Sequence, residues 1–343
     1  MKRSLCLFCK VLLWCFLMAA GSMWIFILLE VFIVVACCLG NALVIWVVWR
    51  SGALRQPSFC FIASLAVADF LVGSVAIPVA VLWDARAKTS FHGCLFMCCV
   101  FIMLQLTSGA LLLAIAVDRF LRVRIPLTYK ATITKTRSWM VVVLCWLVAA
   151  LLSFVPMFGW HHNHTTWNNT TQTNSSNIKC SYLTVNTRSY VVNFIFFSCY
   201  LPPLAIMCGL YLYVFLITRR QLRANIGETV NKSSTDYLKE RRLAASLALV
   251  LVLFAVSWLP VFVMHTIKYY NPKITVPPVA IRIGVVLSHA NSAVNPIIYA
   301  FRIPKFKKAC IKLWVRLYHC REDQQESDQN SINNLQRTGV KVS

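Results

Sequence analysis

The chain has 343 residues, of which 59% are hydrophobic and 13% are charged. Soluble domains carry about 25% charged residues, so this composition argues against a soluble enzyme or a nucleic-acid-binding domain. The 34 Lys and Arg residues outnumber the 11 Asp and Glu residues and give a formal net charge of +23. These cations fall in short clusters between long apolar runs, which favours a lipid bilayer rather than nucleic acid as the partner.

Seven stretches after residue 22 are long and apolar enough to cross a bilayer. A helix needs about 20 mostly apolar residues to span the hydrocarbon core. The predicted spans lie near residues 24–49, 58–83, 91–124, 138–158, 189–218, 243–267 and 279–301. The sequence therefore predicts an all-α membrane protein in which a seven-transmembrane helix bundle occupies residues 23–301.

The distribution of Lys and Arg predicts the orientation of the bundle. Cytoplasmic flanks of membrane helices are enriched in these residues. If the C-terminal tail is cytoplasmic, 24 of the 34 Lys and Arg residues lie inside and 7 lie outside. We therefore expect a multi-pass plasma-membrane protein with an extracellular N-terminus and a cytoplasmic C-terminus.

Residues 1–22 form either a signal peptide or an apolar N-terminal extension. Lys2 and Arg3 precede an apolar run that ends near Met18, and small residues follow at positions 19–21. This order is typical of a secretory signal peptide. Lys10 interrupts the apolar run and is not typical of one. The sequence leaves both alternatives open.

The chain after the seventh span divides into two parts. Residues 302–320 alternate apolar and basic side chains at helical spacing, which predicts a short amphipathic eighth helix on the membrane surface. Cys310 and Cys320 in this segment are candidate palmitoylation sites. Residues 321–343 are rich in Gln, Asn, Ser and acidic residues, which predicts a disordered cytoplasmic tail.

Asp69 lies in the middle of the second span, where an ionisable group costs on the order of a few kcal/mol or more. Ser108, Asn291 and Asn295 lie in other spans and could surround a cation together with it. A carboxylate and neutral oxygens suit a small hard cation such as sodium, an allosteric ion rather than a cofactor. A protonated Asp69 in a structural hydrogen-bond network is the alternative.

Polar residues also lie at the cytoplasmic ends of two spans. Asp118 and Arg119 end the third span, and Glu240 begins the sixth. A neighbouring carboxylate can hold Arg119 towards the bundle, and breaking that pair would release a helix end. The alternative is an ordinary cytoplasmic arginine.

Two features are expected on the extracellular side. In the predicted topology, Cys94 and Cys180 face the oxidising compartment, and we expect them to form a disulfide. The loop before Cys180 carries several Asn-X-Ser/Thr sequences, which mark candidate N-glycosylation sites in an outward loop. Their asparagines are Asn163, Asn168, Asn169 and Asn174.

From about Glu30 to Trp314 the chain resembles the rhodopsin-like class of G protein-coupled receptors. Phe120 stands where that class usually has tyrosine after the Asp-Arg pair. The residues that carry the resemblance are Gly40-Asn41, Asp69, Cys94, Asp118-Arg119-Phe120, Trp146, Pro203, Tyr211, Trp258-Leu259-Pro260 and Asn295-Pro296-Ile297-Ile298-Tyr299.

Within that class the chain is similar to the adenosine receptors. The runs Ser64–Asp69, Pro156–Trp160 and Leu287–Pro296 carry this similarity, and Leu121-Arg122-Val123 is more similar to the inhibitory subtypes. The resemblance implies a small-molecule agonist, with adenosine suspected, and an inhibitory heterotrimeric G protein that lowers cyclic AMP. The residues implied to engage or switch the G protein face are Asp118, Arg119, Tyr211, Glu240 and Tyr299.

The resemblance also implies a ligand pocket, and this sequence departs from its usual pattern. The implied ligand-binding positions are Glu30, Phe101, Gln105, Tyr182, Ile195, Trp258, His265, Ser288 and His289. His265 replaces an asparagine that pairs with adenine, and Gln105 replaces a threonine. Tyr182, Leu183, Ile195 and Phe262 are further departures. A receptor with a different ligand therefore stays open as an alternative.

Three other functions have less support. A transporter would also bury Asp69, but the sequence shows no inverted repeat or paired broken helices. A non-signalling partner of another receptor would explain the altered pocket but not the cytoplasmic motifs. An enzyme is disfavoured because no metal-ligand spacing or nucleophile–base pair stands out.

Overall fold

The structure is a computed structural model, and it describes residues 23–52, 54, 56–84, 88–162, 177–224, 232–302, 311 and 315. Within these ranges, the side chains at 84, 88, 130, 177, 179, 221–224, 232–248 and 300–302 are not described. The candidate signal peptide, the four candidate glycosylation sites, Cys310, Cys320, the tail and most of the eighth-helix segment lie outside the described residues.

The seven predicted spans are present as helices, and the predicted fold is confirmed. Six of them are long and apolar enough to cross a membrane by length and composition. The seventh is 25 residues long, and it carries several polar side chains. In order, the helices are Met23–Arg50, Pro57–Leu71 continued by Val72–Ala76 and Ile77–Asp84, Phe91–Arg124, Lys135–Ser153, Tyr190–Tyr200 continued by Leu201–Ala224, Lys232–Tyr270 and Pro278–Arg302.

The second and fifth helices each contain wide π-helical turns. These turns comprise Val72–Ala76 and Tyr190–Tyr200, and each is followed within a few residues by proline. Proline lacks an N–H and its ring clashes with the preceding turn, so a regular α-helical ladder is interrupted there. In the sixth and seventh helices, by contrast, Pro260 and Pro296 lie inside continuous α-helix.

The fourth helix is shorter than the sequence predicts. It ends at Ser153 instead of continuing to residue 158. Pro156 lies in a separate 3-10 turn, Val155–Phe158, and Gly159 follows with a φ of 118°. The residue before a proline is disfavoured in α-helical conformation, which explains why apolarity alone overestimated this span.

The helices pack in a closed arrangement around the third helix. The third helix contacts the second, fourth and fifth helices, and the first helix contacts the second and seventh. A Cβ atom at Gly40 would lie 3.0 Å from Cγ of Pro296, so the first and seventh helices approach closely there. Large apolar side chains such as Leu39 and Leu151 point outwards, as expected for surfaces that face lipid.

The end of the bundle at which the third helix begins is linked to that helix by a strand pair and a disulfide. Strand β1 (Lys88–Ser90) pairs antiparallel with strand β2 (Asn177–Lys179), and Thr89 lies opposite Ile178. A disulfide joins Cys94 to Cys180 directly after β2. The short helix Tyr182–Val185 follows, so these two links fix Tyr182 near the outer end of the bundle.

Candidate functional site

A cavity lies between the third, fifth and sixth helices, below the short helix Tyr182–Val185. Its volume is about 40 Å³, whereas pockets for drug-sized ligands measure about 300–1,000 Å³. A ligand of nucleoside size would therefore need side chains to move aside. The lining residues are Phe101, Ile102, Gln105, Leu106, Tyr182, Ile195, Tyr200, Phe254, Trp258 and Phe262.

Aromatic rings fill the inner side of this cavity. The ring of Phe262 stacks on Phe196 with centroids 5.0 Å apart, and it lies 5.0 Å from Tyr200 and 5.7 Å from Trp258. Tyr200 also stacks on Phe254 at 5.3 Å. Phe262 thus contacts three neighbouring rings and occupies space between the fifth and sixth helices.

The cavity contains polar atoms that have no partner among the described residues. Both amide atoms of Gln105 are completely shielded from solvent and form no hydrogen bond. The indole Nε1 of Trp258 is also shielded from solvent and forms no hydrogen bond with the described residues. Most buried polar atoms in folded proteins are hydrogen-bonded, so these groups mark a place where a further polar group fits.

A buried charged or hydrogen-bonded pair lies beside the cavity. Nδ1 of His289 lies 2.9 Å from both carboxylate oxygens of Glu30, and both residues are buried. Phe101 lines the cavity and also makes an edge contact with the His289 ring at 5.8 Å. The structure therefore brings Glu30, Phe101 and His289 together, as expected from the sequence.

Two predicted ligand-binding residues are placed differently. The hydroxyl of Ser288 donates to the backbone carbonyl of Val285 at 2.7 Å, so its own helix uses that donor. His265 does not line the described cavity and instead lies near Lys268 and Arg188 at the outer side of the bundle. Neither residue lines the described cavity, in contrast to Gln105.

A second polar cluster surrounds Asp69 in the middle of the bundle. Asp69 is completely buried, accepts a hydrogen bond from Asn295 Nδ2 at 2.8 Å, and accepts a longer one from Ser108 Oγ at 3.4 Å. Asn291 is buried but makes no hydrogen bond to this carboxylate; the adjacent Ser292 lies close to it. The oxygen atoms of this cluster are the hard ligands that a cation such as sodium prefers.

The first helix takes part in the same cluster, which the sequence did not predict. Cys37 donates from Sγ to the backbone carbonyl of Asp69 at 3.0 Å. Asn41 donates from Nδ2 to the backbone carbonyls of Cys37 at 2.9 Å and of Ser292 at 3.0 Å. The position of Asn41 in a recognisable motif was the available signal, whereas nothing in the sequence marked Cys37 among 15 cysteines.

A third cluster is centred on Asp118 near the C-terminal end of the third helix. Asp118 accepts hydrogen bonds from Ser58 at 2.6 Å, from Arg122 at 3.3 Å and from the Tyr129 hydroxyl. Arg119 Nη2 lies 3.4 Å from the same carboxylate, which agrees with the predicted pair. One side chain thus joins the second helix, the third helix and the short helix Tyr129–Thr132.

The environment of Tyr129 favours its protonated form. Burial and the hydrogen bond to Asp118 raise the pKa of Tyr129 to about 12. The Arg122 guanidinium lies 4.7 Å from the centre of the Tyr129 ring. Three members of this cluster were not predicted from the sequence, because their approach to Asp118 depends on tertiary folding: Ser58, Arg122 and Tyr129.

Two tyrosines lie near the Asp69 and Asp118 clusters. Tyr211 is buried near Arg119, and Tyr299 is fully buried within electrostatic range of Asp69 and Tyr211. The predicted switch residue Glu240 lies in the sixth helix, but its side chain is not among those described. The other residues predicted to take part in switching, Asp118, Arg119, Tyr211 and Tyr299, are all buried.

Comparison with known proteins gives one family. The family "7 transmembrane receptor (rhodopsin family)" matches residues 40–299. The chain is 39% identical over 295 residues to "Adenosine receptor A3" of Canis lupus familiaris, which covers 86% of this chain and 92% of that protein. It is 39% identical over 293 residues to "Adenosine receptor A3" of Bos taurus, with 83% and 90% covered.

Proposed function

Because the chain belongs to the rhodopsin family of seven-transmembrane receptors, we propose that it is a plasma-membrane receptor for adenosine or a related purine. The family is one of receptors and not of enzymes. The relatives named adenosine receptor A3 align over most of this chain. The structural observation that carries the proposal is the buried Glu30–His289 pair beside the cavity above Trp258.

We propose that agonist binding shifts an equilibrium between inactive and active arrangements. A ligand larger than the 40 Å³ cavity must displace aromatic side chains, and Phe262 is packed against three other rings. Binding energy that favours the displaced arrangement would change the position of the sixth helix. Phe262 is one of the side chains whose displacement would enlarge the cavity.

The proposed cytoplasmic partner is an inhibitory heterotrimeric G protein. Asp118 holds Arg119 and Arg122 on the inner surface, and Tyr211 lies near Arg119. Release of this cluster would expose cationic side chains to a partner, which is a common form of switching. The Leu121-Arg122-Val123 run supports the inhibitory class and a fall in cyclic AMP.

We also propose that the central cluster binds a sodium ion. Asp69, Ser108 and Asn295 would hold it, and Asn291 lies on the same buried helix segment. The ion would neutralise the Asp69 carboxylate inside the membrane and so stabilise the arrangement in which these helices are close. Its binding would oppose agonist binding if the two favour different arrangements.

A receptor for another ligand is the second candidate. Ile195 and Phe262 make the cavity more apolar, and His265 does not line it. A non-signalling partner has less support because Asp118 lies 3.4 Å from Arg119 and accepts hydrogen bonds from Ser58 and Tyr129. Glycosylation of the outer loop and palmitoylation of Cys310 and Cys320 remain predictions of the sequence.

The proposed function can be tested by cyclic AMP measurements. Cells expressing the chain are stimulated to produce cyclic AMP and then treated with adenosine, with surface expression measured in parallel. A fall that a toxin against inhibitory G proteins abolishes supports the proposal. If no G protein subtype responds to adenosine or constitutively at confirmed surface expression, the proposal is wrong.

The variant His265→Asn separates the two candidate functions. It restores the amide that the resemblance places at this position. A response that appears only in His265→Asn would mean that the scaffold signals but that the natural ligand is not adenosine. A response of the parent chain would show that another residue has taken over contact with the base.

A further inference from the structure

Three nitrogen-bearing side chains gather where the fifth helix begins and the sixth helix ends. Arg188 lies two positions before the wide turns of Tyr190–Tyr200, and Lys268 lies in the last turn of the sixth helix. His265 lies one helical turn before Lys268 and within electrostatic range of both cations. Arg188 is exposed, whereas His265 and Lys268 are partly buried. We call Arg188, His265 and Lys268 the basic cluster.

The chain supplies no carboxylate from the helices that carry this cluster. The sequence contains no Asp or Glu between residues 119 and 227 or between residues 241 and 321. Neither Arg188 nor Lys268 forms an ion pair or a side-chain hydrogen bond with another residue in the described ranges. The acidic residues before residue 228 all belong to the first three helices, and they are Glu30, Asp69, Asp84 and Asp118.

A hydrogen-bonded contact beside the basic cluster holds the two helices together. Asn193 donates from Nδ2 to the Tyr269 hydroxyl at 3.3 Å, and the Tyr270 hydroxyl donates to Oδ1 of Asn193 at 3.0 Å. Tyr269 lies four positions after His265, so both lie on the same face of the sixth helix. Because the Tyr269 hydroxyl accepts in this contact, its own proton can still be donated to a further acceptor.

The groups of the cluster select the chemistry of a partner. Guanidinium and ammonium groups donate hydrogen bonds and accept none, and imidazole also offers an N–H. Two cations brought together without a carboxylate repel each other, and a bound anion removes that repulsion. Donors from two helices outnumber the two oxygens of a carboxylate, whereas a phosphate group offers three. Arginine binds phosphate through paired N–H groups, and lysine binds it as a point charge.

We propose that the basic cluster binds a phosphate group where the fifth helix begins and the sixth helix ends. Arg188 donates two hydrogen bonds to it, Lys268 neutralises its charge, and His265 donates one more. The site lies beside the described cavity and not in it, because none of the three residues lines that cavity. The proposal is independent of the proposed purine ligand. A phosphate group held from both helices joins their ends and stabilises the arrangement in which Asn193 contacts the sixth helix.

The test measures thermal unfolding of the detergent-solubilised protein in potassium phosphate and in potassium chloride of equal ionic strength. Arg188→Gln and Lys268→Gln each remove one charge of the cluster. Lys273→Gln is the matched control, because it removes one positive charge from an exposed turn after the sixth helix. Arg188→Lys keeps the charge and removes the planar pair of donors.

We expect phosphate to raise the melting temperature of the parent by about 2–4 °C over chloride, as for a ligand present at several times its dissociation constant. The rise should be absent in Arg188→Gln and Lys268→Gln, smaller in Arg188→Lys, and unchanged in Lys273→Gln. Each variant is compared with itself in the two salts. A variant that is merely less stable therefore does not imitate a loss of binding.

Three results would overturn the proposal. The first is an equal melting temperature of the parent in the two salts. The second is an equal rise in all variants, which is a general effect of phosphate on protein surfaces. The third is a rise that persists in Lys268→Gln while its melting temperature falls by the same amount in both salts. Lys268 would then only complement the C-terminal end of the sixth helix.

Bilayer nanodiscs distinguish a lipid headgroup from a soluble source of the phosphate group. If a headgroup occupies the cluster, adding phosphatidylglycerol to phosphatidylcholine discs raises the melting temperature of the parent but not of Arg188→Gln, and soluble phosphate then has no further effect. If soluble phosphate still raises it in those discs, the cluster takes a phosphate group carried by a soluble ligand. If neither addition raises it in discs, the proposal is wrong.

Discussion

His289 in the seventh helix pairs with Glu30 in the first helix, with Nδ1 lying 2.9 Å from each carboxylate oxygen. The two residues are 259 positions apart in the chain, so their contact joins its first and last described membrane helices. Lower in the same interface, Gly40 allows Pro296 to approach closely. The first helix therefore contacts the seventh helix closely at two levels along its length.

Leucine substitutions test the strength of this pair. Glu30→Leu or His289→Leu leaves a buried polar partner alone, which should lower the free energy of unfolding by about 1–3 kcal/mol. The double variant should lose less than the sum of the singles, by roughly 1 kcal/mol. Thermal unfolding of the detergent-solubilised protein measures all four members of the cycle. Strict additivity would show that the two side chains are not coupled.

Sodium dependence tests the Asp69 cluster. In the parent chain, replacing potassium by sodium at constant ionic strength should weaken agonist binding. Asp69→Asn removes the charge that holds the ion, so its agonist affinity should be the same in both salts. Binding of radiolabelled agonist to membranes measures this difference. An equal sodium effect in the parent and the variant would place the ion elsewhere or indicate a nonspecific salt effect.

Removal of the Tyr129 hydroxyl should raise basal signalling. Tyr129→Phe deletes one donor to Asp118 and so weakens the cluster that restrains Arg119. We expect a basal nucleotide-exchange rate of the G protein about two- to five-fold higher, which corresponds to about 0.4–1 kcal/mol. Tyr270→Phe is the control, because it removes a phenol at the exposed outer end of the sixth helix. The same increase in both variants would contradict the proposed restraint.

The pKa of Tyr129 predicts how its contribution depends on pH. The folded pKa is about 12 and the usual value is 10.0, so the folded state holds this proton more tightly. The stabilisation is fully present below pH 10 and is lost as the pH rises from 10 to 12. The difference in melting temperature between the parent and Tyr129→Phe should thus stay constant from pH 6 to 9. A decline within that range would assign the effect to another group.

Loss of the disulfide should disconnect the outer loop from the third helix. The bond joins cysteines 86 positions apart, and in a chain-entropy description such a crosslink stabilises by about 4 kcal/mol. Cys94→Ser and Cys180→Ser should each reduce agonist binding strongly, and the double variant should be no worse than either single. Surface expression and ligand binding are the measurements. Cys208→Ser, at an exposed free cysteine, serves as the control.

Much of this fold was predictable because bilayer thickness imposes a length on every apolar segment. The third predicted span, 91–124, coincides with the helix Phe91–Arg124. The end of the fourth helix was not predictable from apolarity, since Val155–Phe158 remains apolar after the α-helix has ended. Hydrophobicity reports where the chain can be in lipid, whereas proline and glycine decide which backbone conformation it adopts there.

Some residues of the candidate site could be predicted from the sequence, and others could not. Asp69 stood out because a charge is expensive inside a membrane, whereas Glu30 was named only through the resemblance to a known family. Tyr129 and Ser58 did not stand out, because a hydroxyl in or near an apolar segment has no such cost and its role depends on reaching Asp118. The sequence also could not predict that the Gln105 amide has no hydrogen-bond partner among the described residues, because this depends on which side chains pack around it.

The wide turns of Tyr190–Tyr200 affect which residues of the fifth helix face the cavity. Each i→i+5 turn takes in one more residue than an α-helical turn, so side chains before Leu201 are rotated about the helix axis. Ile195 reaches the cavity in this geometry. A relative with regular α-helix in this segment would present a different sequence position at the same point in space. An alignment of such a relative with this chain, counted evenly back from Pro203, would consequently pair residues that point in different directions.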